Sequence, residues 1–530
     1  MHIQLIHPPV YLNVHAMTAL RPALPLGLAY VAGSLRTAGH TLSLVDAVAE
    51  APDSVTQENW GRSIYRLGLS PAEISARIDP KAGAIGLTNM WSFSWPLVRR
   101  ILQQLKQDWP DKPIVCGGEH FTGMAEQSMQ QAPIDVIVLG EGEEQGVAVF
   151  DALERGEREF PDIDGILYRG AADQLIRNRP KARRRDVDAI PLPYWELFDV
   201  DTYHEHDFVA GLHAGKTIPI LATRGCPYQC TYCSSPSMWT TRWYARDPAK
   251  VVDEMEHYMQ AYGAENFPFQ DLTAIVKRDW IISFCNEILR RNLKFTWQFP
   301  SGTRCEVIDD EVAKLLRLTG GKALAYAPES GSERTRKLIK KQMKTSSLMN
   351  AVKASVRHKL NITSFIVIGF PHDTKEDLRL TAKLARRLAW EGIDDIAIGF
   401  FFPIPNTELY HRLKAEGRIT DGDEFLLTPI YANDEKLEED NNYCDHLTAK
   451  QLTLWKYRLL ANFYLVSLAA HPWRALALVW NTLRGKETRK METFLIELKR
   501  KGIMWVKGKL GRFDKEQHRD KSPAPAASEG

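Results

Sequence analysis

The 530-residue sequence lacks the features of secreted, membrane-spanning and nucleic-acid-binding chains. Its first residues, "MHIQLIHPPVYL", have no basic stretch and no small-residue cleavage site, so we expect no secretory signal. No window reaches the eighteen or so uninterrupted apolar residues that a transmembrane helix needs. The net charge is only +2, which does not favour a nucleic-acid partner.

The sequence also lacks a disulfide framework and a zinc motif. Its seven cysteines are an odd number, and four of them are single and scattered: Cys116, Cys285, Cys305 and Cys444. This pattern favours the reducing cytoplasm, which is the expected location. A zinc ribbon would need a second CxxC or a histidine pair at a suitable distance, and the sequence contains neither.

Three cysteines do form a cluster, in "TRGCPYQCTYCSSP": Cys226, Cys230 and Cys233. Close-set thiolates hold iron–sulfur clusters, and a cubane normally takes four of them. Three thiolates leave one iron free to bind a substrate or cofactor. We therefore predict a metal centre with an open position, and we assign these three residues as its ligands and as catalytic residues.

Strand-like and helix-like runs alternate twice along the chain, which predicts an α/β protein with parallel sheets. The first alternation, residues 1–155, predicts a Rossmann-like domain with Gly117, Gly118, Gly140 and Glu141 just beyond its strands, where such sheets bind ligands. The second, residues 206–420, has six or so βα units and predicts a partial (β/α)6 barrel.

The two alternations are separated by residues 156–205, which are polar and proline-bearing, and we interpret them as a linker. Their basic run, Arg183 to Arg185, is expected to be a solvated face. Residues 421–530 predict a helical C-terminal domain that ends in a disordered tail, "DKSPAPAASEG".

The spacing CxxxCxxC after the first strand of a βα barrel resembles the radical S-adenosylmethionine (SAM) superfamily. The preceding "LATRGCP" and Tyr232, beside the last cysteine, agree with this resemblance. It implies a 4Fe-4S cluster whose open iron chelates SAM, and reductive cleavage of SAM to a 5′-deoxyadenosyl radical. Tyr232 is accordingly assigned to the cofactor site.

The later strand ends resemble the segments of the superfamily that contact SAM. "FQDL" places Gln270 and Asp271 near the methionyl amino group. Glu329, in "APESGSE", is expected to bond the ribose hydroxyls, and Gly369, in "FIVIGFP", to lie beside the adenine. Arg304 is either a partner of the SAM carboxylate or part of a structural ion pair. "FFPIPNTELY" carries Asn406 where the family usually has glycine, and asparagine tolerates a left-handed backbone.

The N-terminal domain lacks the GxGxxG fingerprint of dinucleotide-binding folds. "PLGLAYVAGSLRTAGH", "LVDA", "GGEHFT" and "IDVIVLGEGEE" instead resemble, in order and spacing, the cobalamin-binding domain fused to one large radical SAM group. The resemblance implies cobalamin, with Asn89 and Trp91 below the corrin and the glycine turns, with Glu141, near the nucleotide tail. No DxHxxG motif is present, so no histidine ligand to cobalt is expected. A degenerate domain without ligand and core packing of Trp91 remain alternatives.

The resemblance implies an enzyme that abstracts hydrogen from an unactivated carbon. We favour C-methylation through methylcobalamin, in a secondary-metabolite, tetrapyrrole or lipid pathway. The alternative is oxidative cyclisation or rearrangement, as in the anaerobic Mg-protoporphyrin monomethyl ester cyclase-like group, and a non-catalytic iron–sulfur or cobalamin sensor is a remote one. The expected partners are a small, hydrophobic substrate and an electron donor such as flavodoxin or ferredoxin.

The C-terminal region is unusually basic. Between Arg474 and Arg512 there are eleven Lys and Arg against three Glu, with Trp473, Trp480 and Trp505 among them. Such a region can lie on an anionic membrane surface, and this motivates the hypothesis that residues 459–512 make peripheral membrane contact. A helical cap over the barrel mouth is the other interpretation.

Overall fold

The computed structural model describes residues 1–13, 22–60, 63–212, 214–432 and 437–484, and it divides into two compact units, Met1–Ala470 and His471–Gly530. The first part of the chain contains β1 (His2–His7), β2 (Val10–Leu12), α1 (Leu26–Thr37), β3 (Thr41–Asp46), β4 (Val55–Asn59), β5 (Ser63–Leu67), α2 (Pro71–Ser75), β6 (Ala84–Thr88), α3 (Trp95–Asp108), β7 (Ile114–Gly117), α4 (Glu119–Gly123), α5 (Ala125–Gln131), β8 (Val136–Val138), α6 (Gly142–Glu154), β9 (Ile166–Arg169), β10 (Leu175–Arg177) and α7 (Val200–Glu205). Short 3₁₀ turns lie at Ser92–Ser94, Val187–Ala189, Trp195–Leu197 and Glu439–Asn441.

Seven of these strands form one sheet, in the order β10-β9-β8-β7-β6-β1-β3. The strands from β8 to β3 in this order pair in parallel. Successive side chains of a strand point to opposite faces, and Leu5 and Ile6 of β1 accordingly enter two different hydrophobic clusters. This confirms the predicted Rossmann-like fold and brings the carboxyl ends of β6, β7 and β8 to one edge. A separate antiparallel sheet, β2-β5-β4, was not predicted.

The segment 156–205 differs from the linker that we expected. β9 and β10 form an antiparallel hairpin that pairs with β8 and covers an edge that would otherwise be open. The basic run is only partly a solvated face, since Arg185 is exposed but Arg183 and Arg184 are half-buried. Arg183 donates a 2.7 Å hydrogen bond to the Trp239 carbonyl oxygen, and Arg184 pairs with Glu144 at 2.7 Å. Both arginines join this segment to neighbouring elements.

The second alternation contains β11 (Thr223–Arg224), α8 (Ser235–Trp239), β12 (Tyr244–Ala245), α9 (Pro248–Tyr262), β13 (Asn266–Pro268), α10 (Arg278–Arg290), β14 (Thr296–Thr303), α11 (Asp310–Leu318), β15 (Gly321–Glu329), α12 (Glu333–Leu338), α13 (Thr345–Arg357), β16 (Asn361–Ile368), α14 (Lys375–Glu391) and β17 (Asp395–Phe400). β13 to β17 form a parallel sheet in sequence order. Ahead of β13, Thr217 and Ile220 make single parallel bridges to Asn266 and Phe269. With this bridged segment as its first member, the sheet is the predicted partial (β/α)6 barrel.

The C-terminal part is helical, as predicted, with α15 (Glu408–Ala415), α16 (Asp423–Ala432), α17 (Ala449–Ala470) and α18 (Trp473–Leu483). α17 packs against α14 and β17 and buries Leu452, Leu459 and Phe463. α18 belongs to the second unit, and its side chains Trp473, Leu476 and Trp480 are exposed. No helix in the described part of the chain has the length and apolar character needed to span a bilayer. The predicted tail lies outside the described residues.

Candidate active site

The loop that carries the clustered cysteines begins after β11 and is fixed at its base by Asp271. The buried Asp271 carboxylate accepts hydrogen bonds from the amides of Ala222 (3.2 Å) and Thr223 (2.5 Å) and from the Thr223 hydroxyl (2.5 Å). Burial raises the pKa of Asp271 to about 6, although these bonds oppose the rise. Gly225 has a φ of +88°, and a Cβ there would lie 2.2 Å from the Arg242 carbonyl oxygen. The loop therefore requires glycine at position 225.

Cys226, Cys230 and Cys233 are partly exposed. Burial, and then the charge of Cys230, raise the pKa of Cys226. Burial, and then the charges of Cys230 and Cys226, raise the pKa of Cys233 to about 12. Within the described residues, the three sulfurs do not all lie within 4.8 Å of one another. A single zinc ion would hold its sulfurs roughly 3.8 Å apart, given Zn–S distances of about 2.3 Å. The three sulfurs are therefore not arranged as the ligands of one zinc ion, and the positive charge of a bound metal cluster would favour their thiolate forms.

Glu329, at the end of β15, meets Tyr232 of the cysteine loop. The Tyr232 hydroxyl donates a 2.8 Å hydrogen bond to Glu329 Oε1, and Lys341 Nζ donates to the same oxygen at 3.0 Å. Burial opposes the charge on Lys341, but the charges of Glu329 and then Cys230 outweigh it and raise the pKa of Lys341. Among the described residues, Glu329 Oε2 has no hydrogen-bond partner. The carboxylate is thus held by one oxygen while the other stays free to accept.

Glu329 also has an unusual backbone. Its φ is +60°, a left-handed value that is uncommon for residues other than glycine. The pairing of β15 with β16 is irregular between Tyr326 and Glu329. Such outliers cluster at ligand sites, where the surroundings hold a strained residue in place. The buried bonds to Tyr232 and Lys341 supply that restraint here.

Arg304, just after β14, reaches the same loop. Its guanidinium lies 3.8 Å from the centre of the Tyr228 ring, and it contributes to the titration of Cys226. It also makes a two-pronged pair with Glu306 at 2.6 and 3.0 Å. The structural ion pair is therefore present, and Arg304 still lies beside the cysteine loop.

The end of β16 presents backbone rather than side chains. The amides of Gly369 and Phe370 both donate to Asp373 Oδ2 at 3.1 Å. Gly369 has a φ of +87°, and a Cβ there would lie 3.0 Å from Leu452 Cδ1. The Phe370 ring lies 5.6 Å from that of Tyr232. Aromatic side chains thus border the end of this strand.

The carboxyl ends of β6 and β7 form a tight backbone platform. Gly118 has a φ of +117°, and a Cβ there would lie 2.5 Å from the Asn89 carbonyl oxygen. The Asn89 amide donates to the Gly117 carbonyl oxygen at 2.9 Å. In the described part of the chain, Asn89 Nδ2 is buried without a hydrogen-bond partner. Such an orphaned donor fits a site that a polar ligand completes. Gly140, beyond β8, has a φ of +81°.

The loop after β6 exposes large apolar side chains. Met90 is 54% exposed and Trp91 is 57% exposed, and Trp91 stacks on Phe93 with ring centres 5.8 Å apart. Trp91 is therefore not a core residue, which removes the packing alternative considered above.

The platform and the cysteine loop face each other. Glu119 follows Gly118 and accepts a hydrogen bond from the hydroxyl of Ser234, which follows Cys233. Burial raises the pKa of Glu119. On the same helix, a Cβ at Gly123 would lie 3.0 Å from the Cβ of Asn406, whose φ is +65°. Asn406 thus adopts the left-handed conformation that we expected.

Comparison with known families agrees with this geometry. Residues 220–385 match the model of the radical SAM superfamily, and residues 14–150 match that of the B12 binding domain. The chain therefore carries a radical SAM domain and a B12-binding domain. Its cofactors are accordingly a 4Fe-4S cluster, SAM and cobalamin.

Relatives of this enzyme include methyltransferases and cyclases. An uncharacterized methyltransferase, PH0819, of Pyrococcus horikoshii is 27% identical over 467 residues, 88% of this chain and 93% of that protein. The anaerobic magnesium-protoporphyrin IX monomethyl ester cyclase of Cereibacter sphaeroides is 27% identical over 438 residues, 81% of this chain and 66% of that protein.

A solved structure shares the fold. The radical SAM methyltransferase TsrM of Kitasatospora setae, with cobalamin and a [4Fe-4S] cluster bound, aligns with a TM-score of 0.60. It is 18% identical and covers 78% of each chain.

Two residues predicted to contact cofactors also make hydrogen bonds within the protein. Both oxygens of Asp271 accept from the base of the cysteine loop. Glu141 accepts from Arg224 at 3.2 Å and from the Arg184 amide at 3.3 Å. Sequence position alone could not reveal these bonds, because each links segments far apart in the chain.

Sequence reasoning also missed Lys341 and Glu119. Lys341 stands in "KLIKKQMK", where four lysines look alike, yet the adjacent Lys340 is an exposed partner of Glu408. Glu119 lies in "GGEHF", where the glycines drew attention. Only the fold shows that both side chains enter the site.

Proposed function

We propose that the enzyme methylates an unactivated carbon of a small hydrophobic molecule. The contact between Glu119 and Ser234 carries this proposal, since it joins the expected cobalamin site to the expected cluster site. Hydrogen removal and methyl delivery must occur at one carbon, so both cofactors have to reach the same substrate. The methyltransferase relative points the same way.

The bound cofactors supply an oxidant strong enough to remove hydrogen from a C–H bond, and a transferable methyl group. The protein residues would bind and orient the cofactors and the substrate, and would exclude water from the site. Cys226, Cys230 and Cys233 would hold the cluster. The base of their loop is braced by Asp271, which accepts from the amides of Ala222 and Thr223.

For SAM, we propose that Glu329 Oε2 accepts from the ribose hydroxyls. Tyr232 and Lys341 hold the other oxygen and so fix the carboxylate's direction. Gly369 would border the adenine, and Gln270 and Arg304 would face the methionyl end. A carboxylate suits a vicinal diol because each of its oxygens only accepts.

For cobalamin, we propose that Asn89 and Trp91 lie below the corrin. Gly117, Gly118 and Gly140 would allow the nucleotide tail to approach the backbone. The absence of DxHxxG from the sequence predicts a cobalt without a histidine ligand. The functional division that we propose is 1–155 for cobalamin, 206–420 for SAM and 421–530 for a helical C-terminal region.

The proposed partners are a low-molecular-weight electron-transfer protein, such as flavodoxin or ferredoxin, and an anionic membrane surface. Membrane contact suits a hydrophobic substrate in a cytoplasmic enzyme. Of the basic segment 459–512, residues 485–512 lie outside the described part, so this proposal rests on their composition.

Oxidative cyclisation is the second candidate, because a cyclase relative covers 81% of this chain. One experiment separates the two without the natural substrate. Reduced, cobalamin-loaded enzyme is mixed with SAM carrying a ¹⁴C methyl group, and the protein-bound corrin is isolated. Methylation predicts label on the corrin; 5′-deoxyadenosine without labelled corrin would favour cyclisation.

A further inference from the structure

A cleft of about 560 Å³ lies between α14 and α17, on the outside of the barrel. Four cationic side chains line it: Lys375, Arg379 and Arg386 from α14, and Arg458 from α17. Trp455 forms part of the wall, with the Arg458 guanidinium 5.0 Å from its ring centre. We call this the basic cleft. It belongs to neither cofactor site.

The charges of the basic cleft are poorly compensated. Within the described residues, Lys375 and Arg386 have no ion-pair partner. Arg379 pairs with Glu376 at 3.0 Å, but both side chains are about two-thirds exposed, at 65% and 64%, where such a pair is weak. Like charges gathered without partners repel one another, and a bound anion would relieve that repulsion.

An exposed apolar stripe runs along α17 beside the basic cleft. Leu454 is 57% exposed, Tyr457 53%, Leu465 69% and Leu468 39%. Their spacing of three, eight and three residues keeps them on one face of the helix. We call these four side chains the outer stripe. The opposite face of α17 is buried against the barrel, so the helix is apolar on both sides.

A cationic cleft beside a row of exposed leucines and a tyrosine matches an interfacial membrane surface. There the cations meet lipid phosphates while the apolar side chains enter the boundary of the acyl chains. An acidic protein would satisfy the cations but would leave less reason for aliphatic side chains as exposed as Leu465. The chain beyond α17 has the same character: α18 exposes Trp473 and Trp480, and residues 485–512 hold nine Lys and Arg.

We propose that the basic cleft binds the phosphate of an anionic phospholipid while the outer stripe contacts the bilayer surface. This rests on the proposed membrane contact and is independent of the proposed reaction. It assigns the contact to folded residues of the barrel side, rather than to the basic C-terminal segment alone.

The test compares two double variants of the full-length enzyme, Arg386→Gln/Arg458→Gln in the basic cleft and Lys314→Gln/Arg317→Gln on α11. The second removes the same charge from another exposed helix. Binding to phosphatidylglycerol and to phosphatidylcholine vesicles is measured by co-sedimentation at low and high salt. A third variant, Leu465→Ser, probes the outer stripe. Melting temperature and 5′-deoxyadenosine formation are recorded for each protein, so that a failure of the reaction is distinguished from a failure of docking.

We expect wild type and the α11 variant to bind phosphatidylglycerol vesicles equally, and the cleft variant to bind about tenfold more weakly. Leu465→Ser should also bind more weakly, and high salt should weaken all of them. Equal binding by the cleft variant and wild type would overturn the proposal. The proposal would also be overturned if the cleft variant bound vesicles normally and lost only the ability to be reduced by flavodoxin. Stabilisation by inorganic phosphate that needs the cleft, without vesicle binding, would assign free phosphate instead.

Discussion

Tyr232 and Glu329 are 97 residues apart in the chain and share a 2.8 Å hydrogen bond. The bond joins the cysteine loop, which carries the proposed cluster ligands, to the proposed ribose acceptor at the end of β15. Lys341 neutralises the same buried carboxylate at 3.0 Å.

Glu329→Gln should retain the cluster but bind SAM about tenfold or more weakly, because a charged acceptor of the ribose hydroxyls becomes neutral. Iron content and the SAM dependence of 5′-deoxyadenosine formation measure this. Glu333→Gln, whose side chain is 81% exposed on α12, is the matched control. Unchanged SAM affinity in Glu329→Gln would remove this residue from the site.

Lys341→Met should lower stability by about 3 kcal/mol, since it leaves the buried Glu329 charge without its partner. It should also reduce SAM cleavage. Lys340→Met, at the next position and exposed, should do neither. Both variants are compared by thermal unfolding and by 5′-deoxyadenosine formation. Equal stability and equal SAM cleavage in the two variants would show that the Lys341–Glu329 pair is dispensable.

Asp271 should give the enzyme a measurable pH dependence of stability. Burial raises its pKa to about 6, so folding favours the protonated form. The resulting stabilisation is complete below about pH 4, near the unfolded pKa, and is lost as the pH rises through 6. The stability advantage of wild type over Asp271→Asn should therefore shrink by up to about 3 kcal/mol between pH 4 and pH 7.

Burial also raises the pKa of Asp373 to about 6. The pH dependence of wild-type stability therefore cannot by itself be assigned to Asp271. The difference between wild type and Asp271→Asn isolates one group. Asp279→Asn, at an exposed position on α10, serves as the control and should show no such trend. A difference that stays constant with pH would contradict the assignment.

Gly118→Ala should abolish cobalamin binding, because its Cβ would clash with the Asn89 carbonyl oxygen and its φ of +117° disfavours a side chain. Gly27→Ala, with no atom within 4 Å of the added Cβ, should bind normally. In wild type, the spectrum of bound Co(II) should show no histidine nitrogen. Retained corrin in Gly118→Ala would mean that the platform is not the binding surface.

The cysteine loop and the strand ends could be predicted from sequence because they depend on local spacing and on strand–helix alternation. Lys341 and Lys340 could not be separated, since their burial and exposure depend on distant partners, Glu329 and Glu408. The hydrogen bonds of Arg183 and Asp271 could not be predicted either, because each joins segments that are distant in the sequence. The basic cleft was also beyond prediction, because α14 and α17 come together from distant parts of the sequence.

Reductive cleavage of SAM by anaerobically reconstituted protein, measured together with iron content, tests the central claim most directly. Wild type should hold four irons and form 5′-deoxyadenosine, as expected for a radical SAM cluster. Cys226→Ala, Cys230→Ala and Cys233→Ala should each lose both properties. Cys444→Ala should retain the iron and the formation of 5′-deoxyadenosine, because the Cys444 thiol instead donates a hydrogen bond to the Asp373 carbonyl oxygen at 3.3 Å. Stoichiometric zinc without iron in the wild-type protein, or 5′-deoxyadenosine formation that survives loss of the three cysteines, would contradict the account.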